Sequence, residues 1–412
     1  MTAFAAIADD LTGACDVAAE LALAGHRVRV EVAPGAYDRA SQGRDDGELV
    51  VVNTQSRALT AAGAAERVRA ALAASPAPLV LKKIDTALRG HLGAELDAAL
   101  DALGAPGFIL AAIPAAGRIT RGGCQWFGGR LLAETEFARD PEGPGAVSSI
   151  QEVVRRESRR HCAVVGRDAV RAGGLAAEVA RARREGIDLF VVDAESDDDV
   201  QCAVAAILGL GGPVCLVGSI ALTAAVAAHL TATGRTETGT PRNVPMPALV
   251  VNGSLHSRAR SQADALLATG RAIALAPTAA GVGTEASAAL RGGTTVVLAP
   301  TPAASVPSCE ALRATETILA ETVAAIVATV PPATLVLIGG ETSHAILARI
   351  GAGAIAVQGR IAPLVAYGTI VRGDAAGVTL VTKGGSGGDA DVIAALVREG
   401  KESQVRSAEG MG

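Results

Sequence analysis

Ile7-Ala8-Asp9-Asp10-Leu11-Thr12-Gly13-Ala14-Cys15-Asp16 is the stretch whose reading decides the fold. Before it, Ala3-Phe4-Ala5-Ala6-Ile7-Ala8 is a short apolar run of the kind that makes a buried strand. After it, apolar residues return at helical spacing from Ala14 to Ala24. Two aspartates therefore stand where a strand ends and a helix begins, and ligands bind at that edge of an open α/β sheet. Thr12 or Asp10 alone can cap the helix and satisfy the N–H groups of its first turn. Adjacent carboxylates repel. The second aspartate thus calls for a hydroxylated substrate, a cation or a basic side chain from elsewhere.

Outward from this stretch, strand and helix patterns alternate. A helix ends at Gly25, and His26–Val32 reads as a strand. Leu49–Thr54 is another, running into Gln55-Ser56-Arg57; Ala61–Ala74 is helical, and Pro78–Ile84 is the next strand. Such alternation predicts a parallel sheet covered on both faces, an α/β fold. At 412 residues the chain exceeds one ordinary core, so two domains are expected. Thr231–Pro247 is polar, rich in Thr, Gly and Pro, and reads as a linker. The expected domains are 1–235 and 245–412, each a mainly parallel sheet flanked by helices, with the active site in the cleft between them.

The net charge of -5 and an aromatic content of 2% argue against nucleic acid, which asks for a basic face and stacking platforms. The six cysteines show no CxxC spacing, so neither a disulfide framework nor a zinc site is indicated. No apolar run reaches bilayer length and the N-terminus does not read as a signal peptide. A cytoplasmic protein without a membrane partner is expected.

Charge and hydroxyl groups concentrate in a few places. Lys82-Lys83-Ile84-Asp85-Thr86-Ala87-Leu88-Arg89-Gly90-His91 packs lysine, aspartate, threonine and arginine at a strand end. Such a set can hold a carboxylate, hydroxyls and a transferring phosphoryl group, and the planar fork of Arg89 suits a carboxylate. The plain alternative is a helix start with Asp85 or Thr86 as cap and Arg89 in solvent. Pro114–Gly123 and Leu131–Pro141, carrying Arg118, Arg121 and Arg139 with Arg130 just before the second run, read as a long binding loop or lid, or else as a surface hairpin. Farther on, three more strands run into polar turns: Asn252-Gly253-Ser254, Gly339-Gly340-Glu341-Thr342 and Lys383-Gly384-Gly385-Ser386-Gly387-Gly388. Glycines there let backbone amides approach phosphates, with helix N-termini adding favourable dipoles. No Walker A motif occurs, and the dinucleotide fingerprint is incomplete.

The segments 8–16 (ADDLTGACD), 82–96 (KKIDTALRGHLGAEL), 113–118 (IPAAGR) and 134–141 (ETEFARDP), in this order, resemble the sugar-binding half of the four-carbon acid sugar kinases. The turns at Gly339 and Lys383 resemble that family's nucleotide-binding half. The chain departs from the family at Ala87, where a hydroxyl is usual, at Leu255-His256-Ser257, and at Gly387, where phenylalanine is common. The resemblance implies an ATP- and Mg2+-dependent phosphotransferase acting on a hydroxyl of a small sugar acid such as threonate or erythronate, possible as a homodimer. It implies Asp85, Asp10 and Arg89 as catalytic residues. Asp9, Asp10, Asn53, Ser56, Lys82, Asp85, Arg89 and Arg118 would bind the sugar acid. Ser254, Gly339, Gly340, Glu341, Thr342, Lys383, Gly385 and Gly388 would bind the nucleotide; metal ligands are not assigned. Competing readings are a sugar-acid-binding or regulatory protein that has lost catalysis and, last, a nicotinamide-dependent oxidoreductase.

Overall fold

The computed structural model describes residues 4–33, 47–140, 143–230, 244–300 and 308–397. The chain forms two compact units, Met1–His26 with Pro34–Gly234, and Arg27–Ala33 with Arg235–Gly412. Of the expected linker, residues 231–243 lie outside the described residues.

The first unit is built on seven parallel strands: β1 (Phe4–Ala8), β3 (Leu49–Asn53), β4 (Leu79–Lys83), β5 (Gly107–Leu110), β9 (Cys162–Val165), β10 (Leu189–Val192) and β11 (Val214–Gly218), after β2 (Val28–Glu31), which belongs to the second unit. Their order is β3-β1-β4-β11-β5-β10-β9. The central strands are buried on both faces, as a doubly covered sheet requires, and are apolar except for Lys82 and Lys83 at the end of β4. The helix Leu11–Leu23 buries twelve of its residues, so it is an internal element and not an amphipathic surface helix. From β1 the chain crosses to β3, and from β4 it crosses in the opposite direction toward β5. The switch point therefore falls between β1 and β4, the place where an open parallel sheet forms a crevice at its carboxyl edge. Asp9-Asp10 and Lys83-Ile84-Asp85 are the residues that leave those two strands.

The segment read as a long loop or else a surface hairpin takes the antiparallel form. β6 (Arg118–Arg121), β7 (Cys124–Phe127) and β8 (Arg130–Leu131) make a small antiparallel sheet. Its two turns are Gly122-Gly123, at φ 58° and 70°, and Gly128-Gly129, at φ 56° and 80°. Both glycines of each pair take positive φ, as a two-residue turn between twisted strands demands. The three aspartates Asp197–Asp199 open the helix Asp197–Leu208, where Ser196 and Asp199 form a reciprocal cap.

The second unit carries β12 (Ala248–Asn252), β13 (Ala272–Leu275), β14 (Thr295–Leu298), β15 (Thr334–Ile338), β16 (Ala354–Ala362), β17 (Val365–Arg372) and β18 (Thr379–Lys383) in the order β13-β14-β12-β15-β18-β17-β16-β2. The first five of these are parallel. The last three pair antiparallel, with Glu31 opposite Ala354 and Val28 opposite Val357. The strand His26–Val32, expected within 1–235, thus completes the second unit, and Glu31 is held there by Arg29 and Arg372. β12 leads toward β13 and β15 away from it, so this unit has its own switch point between β12 and β15.

Candidate active site

In the first unit, Asp10 both caps the helix and takes part in a charge cluster. Its Oδ1 accepts the Gly13 N–H at 2.9 Å and its Oδ2 the Thr12 hydroxyl at 2.7 Å. The counter-charge comes from Arg57, whose guanidinium lies 3.0 Å from Asp9 Oδ2 and 3.1 Å from Asp10 Oδ1. Burial alone would raise the Asp10 carboxyl; Arg57, Lys83 and the two hydrogen bonds outweigh it and hold the group ionised. Asp9 Oδ1 is buried without a hydrogen-bond partner.

The loop after β3 brings Arg57 into place. Asn53 accepts the Gln55 N–H at 3.0 Å and donates to Gln55 Oε1 at 3.1 Å, while Gln55 stands at φ 45°. A non-glycine residue in this region costs free energy and marks an over-determined turn. Asn53 is fully buried and shapes the turn. Leu88, at φ 60°, is a second such residue, inside the Asp85–Arg89 loop.

That loop supplies the other charges. Arg89 Nε donates to Asp85 at 2.5 Å, and its Nη1 lies 3.4 Å from Asp140. Burial would push Asp85 up, but Arg89, Arg57 and Lys83 hold it far below the usual carboxylate range. Asp85 is thus a firm anion and a poor proton acceptor. Arg118 donates to the Thr86 hydroxyl. Its guanidinium lies 4.7 Å from the Phe127 centroid and 5.8 Å from Phe137, two rings packed edge to face. Gln125, fully buried, donates to Thr86 O at 3.0 Å and Ala111 O at 3.3 Å, which fastens the small sheet to the same loop.

Adjacent strand residues point to opposite faces, and the two lysines separate accordingly. Lys83 lies beside Asp10 and Asp85. Lys82 faces the interior, fully buried, with its ammonium 2.9 Å from Glu95. Ser56 donates to the same Glu95. The structure therefore gathers Asp9, Asp10, Asp85, Arg89 and Arg118, together with Arg57, Lys83 and Thr86, and directs Lys82 and Ser56 to Glu95 behind them. Ala87 is fully buried in the core beside Ile84 and Leu88, so its missing hydroxyl is replaced by packing.

In the second unit, the ends of the neighbouring strands β12, β15 and β18 bring three turns together. A Cβ on Gly385 would lie 2.1 Å from Ser254 Oγ, and one on Gly253 2.0 Å from Thr342 Oγ1. Glycine is needed at both positions because turns approach where any side chain would collide. Gly339, at φ 109°, precedes the helix Gly340–Arg349, with Glu341 in its first turn. Ser254 Oγ accepts the His256 N–H at 3.2 Å, and His256 Nδ1 caps the next helix at Arg258 N; His256 is a structural acceptor. Lys383 is fully buried, its ammonium donating to Gly384 O at 2.9 Å, so it shapes its own loop. Gln262 donates to the carbonyls of Gly387, Gly388 and Asp389, fixing that loop from below. Gly387 has no room for a larger residue: its Cβ would lie 2.6 Å from Leu364 O. These amides, glycines and helix ends suit polyphosphate oxygens. Among the described residues, no group of three or more His, Cys, Asp or Glu is placed to hold a metal ion, and no helix is long and apolar enough to cross a membrane.

Arg57, Lys83, Thr86, Gln125 and Gln262 were absent from the sequence-derived site. Arg57 had a signal, because the paired aspartates asked for a basic partner.

Comparison with known proteins finds two family domains in the chain. Residues 4–226 match the family described as "Sugar-binding N-terminal domain", and residues 249–393 that described as "Nucleotide-binding C-terminal domain". A Salmonella typhimurium D-threonate kinase is 40% identical over 271 residues, 65% of this chain and 61% of that protein. A Bordetella bronchiseptica D-threonate kinase is 35% identical over 403 residues, 94% of this chain and 95% of its own. A Heliobacterium modesticaldum D-erythronate kinase is 34% identical over 202 residues, 47% of this chain and 45% of that one. Among solved structures, a Salmonella typhimurium protein superposes with a TM-score of 0.76 at 21% identity, covering 97% of this chain and 99% of that one. A Haemophilus influenzae protein does so at 0.69 and 20%, covering 95% and 98%. These two establish the fold alone.

Proposed function

We infer that this chain, which belongs to the family joining a sugar-binding N-terminal domain to a nucleotide-binding C-terminal domain, is a kinase that phosphorylates a hydroxyl of a four-carbon sugar acid. The observation that carries the reading is the near full-length relative named D-threonate kinase; D-threonate is accordingly the first substrate to test. ATP is the proposed phosphoryl donor and Mg2+ its companion.

The chemistry follows from the residues. Phosphoryl transfer needs little covalent help from protein; it needs positioning and stabilisation of charge spread over the transferring group. Arg89 and Arg118 supply guanidinium groups for the substrate carboxylate, Arg118 held flat by Phe127 and Phe137. Asp10 and Asp85, ionised by their cationic neighbours, accept hydrogen bonds from substrate hydroxyls. Lys83, beside both, offsets the negative charge that arrives with the phosphates. In the second unit, the amides of Ser254, Gly339 to Thr342 and Gly385 to Gly388 hold the nucleotide's phosphates. A cytoplasmic location and a homodimer complete the proposal.

The test is a coupled ADP-release assay with ATP and magnesium against D-threonate, L-threonate, D-erythronate and 3-oxo-tetronate. ADP release above the sugar-free rate with at least one of them is expected. A flat response across the panel, with nucleotide still bound, would favour a binding protein and reject the kinase.

A further inference from the structure

We propose that Asp16 is the proton acceptor for the substrate hydroxyl, a catalytic residue distinct from the Asp9–Asp10 pair and from Asp85. The inference rests on the kinase reading above and assigns the one role that reading leaves open.

Four observations lead to it. Asp16 sits on the helix Leu11–Leu23, 8% exposed. Among the described residues it is engaged in no hydrogen bond, yet its oxygens are not among the sealed, unpartnered atoms of the interior. The carboxylate is therefore buried, bonded to no protein group, and keeps a little solvent contact. The charges that act on it are Lys83 from the end of β4 and Arg118 from β6, with Asp10 at the cap of its helix and Glu20 one turn further on. A Cβ on Gly13, one turn before Asp16, would lie 3.5 Å from Lys83 Nζ, which puts that ammonium against this side of the helix. Lys83 and Arg118 are the cations already placed beside Asp85, so Asp16 borders the same charge cluster. The helix Ile220–Ala227 that packs against this helix carries no charged residue.

The other carboxylates of the cluster are committed. Asp9 and Asp10 are paired with Arg57, Asp85 and Asp140 with Arg89, and Glu95 with Lys82. A carboxylate paired with a guanidinium still accepts hydrogen bonds but has lost proton affinity, and a general base needs that affinity near the working pH. Burial, opposed by Lys83 and reinforced by Asp10 and Glu20, pushes the Asp16 carboxyl up to about 7.

The step balances as follows. The substrate hydroxyl oxygen forms its bond to the γ-phosphorus while its proton passes to an Asp16 oxygen. The bond between the γ-phosphorus and the β–γ bridging oxygen breaks, and its electron pair leaves with ADP. The proton on Asp16 is then released to solvent.

Asp16→Asn keeps the shape and removes the basicity. We expect kcat to fall about 100-fold or more, within the span typical of a lost general base, while the KM for ATP stays within about threefold. We expect the wild-type rise of kcat/KM through about pH 7 to disappear in the variant. Fluorescence of Trp126, the single tryptophan, checks that the variant is folded, and Asp16→Ser serves as a second probe. A folded variant with kcat within about threefold of wild type, or one that retains the acid limb, overturns the assignment. If wild type phosphorylates no sugar acid in the panel, the kinase reading fails and takes this inference with it; an active wild type with equally active variants rejects Asp16 alone.

Discussion

Lys82→Met tests whether this lysine serves the fold or the substrate. Lys82 is fully buried and its ammonium lies 2.9 Å from Glu95. At an effective dielectric of about 20, that separation corresponds to an attraction of roughly 6 kcal/mol. Much of it is offset by the cost of taking two charges out of water. Removing one partner forfeits the attraction and leaves the other charge buried, so a loss of about 3–5 kcal/mol is expected. That is a large share of a domain's usual stability of about 5–15 kcal/mol. The Ser56 hydroxyl still donates to Glu95, which places the expectation near the lower end. Replacing both partners, as Lys82→Met with Glu95→Leu, should recover most of the loss, because two apolar side chains leave no stranded charge. Urea unfolding followed by Trp126 fluorescence reads the first unit, since that tryptophan lies on β7. Sugar-acid KM in the folded fraction should change by less than about threefold. A single variant as stable as wild type but with a KM raised tenfold or more would refute the interior role and return Lys82 to the binding surface.

Other outcomes follow from the same geometry. Asp85→Asn should lower kcat by about 100-fold, since it removes an oriented anion and releases Arg89, while ATP affinity measured by calorimetry stays near wild type; near-normal turnover would remove Asp85 from the mechanism. Gly385→Ala puts a carbon 2.1 Å from Ser254 Oγ, and calorimetric affinity for a non-hydrolysable ATP analogue should fall at least about tenfold; unchanged affinity would show that this contact does not shape the nucleotide site. Asp16 has its carboxyl raised from 3.8 to about 7, so its contribution to stability is whole below about pH 4 and is lost as pH rises to about 7. Asp16→Asn, which never ionises, should therefore gain on wild type across that window by up to about 4 kcal/mol; parallel stability curves would contradict the burial argument.

Much of the first unit's site was legible before any coordinates. The strand that ends at Ala8 and the aspartates that follow place a site at a sheet edge, and the pairing of β1 with β4 brings Asp85 to the same edge. What sequence could not supply was direction. Ser56, Lys82 and Glu95 look equally available in a linear reading, and only the fold shows them meeting. The alternation of side chains along β4 did carry a hint, since Lys82 and Lys83 cannot serve one face together. The Gly-Gly pairs at 122–123 and 128–129 are the sign that decides between the loop and hairpin readings of the arginine-rich stretch in favour of a small sheet. Gln262 left no trace, because an amide that holds carbonyls more than a hundred positions away has no local pattern. The partner of β2 was hidden for the same reason: nothing in Val28–Glu31 names a strand that begins at Ala354.

That last pairing bears on how the protein can be dissected. A fragment cut at residue 245 looks like a self-sufficient nucleotide module on paper, but it would lack the four-residue ribbon Val28–Glu31 that covers β16. The bare backbone of β16 would then invite any extended peptide to lie against it. Supplying residues 27–33 as a synthetic peptide, or grafting them by a flexible tether onto the truncated piece, is the repair this topology prescribes.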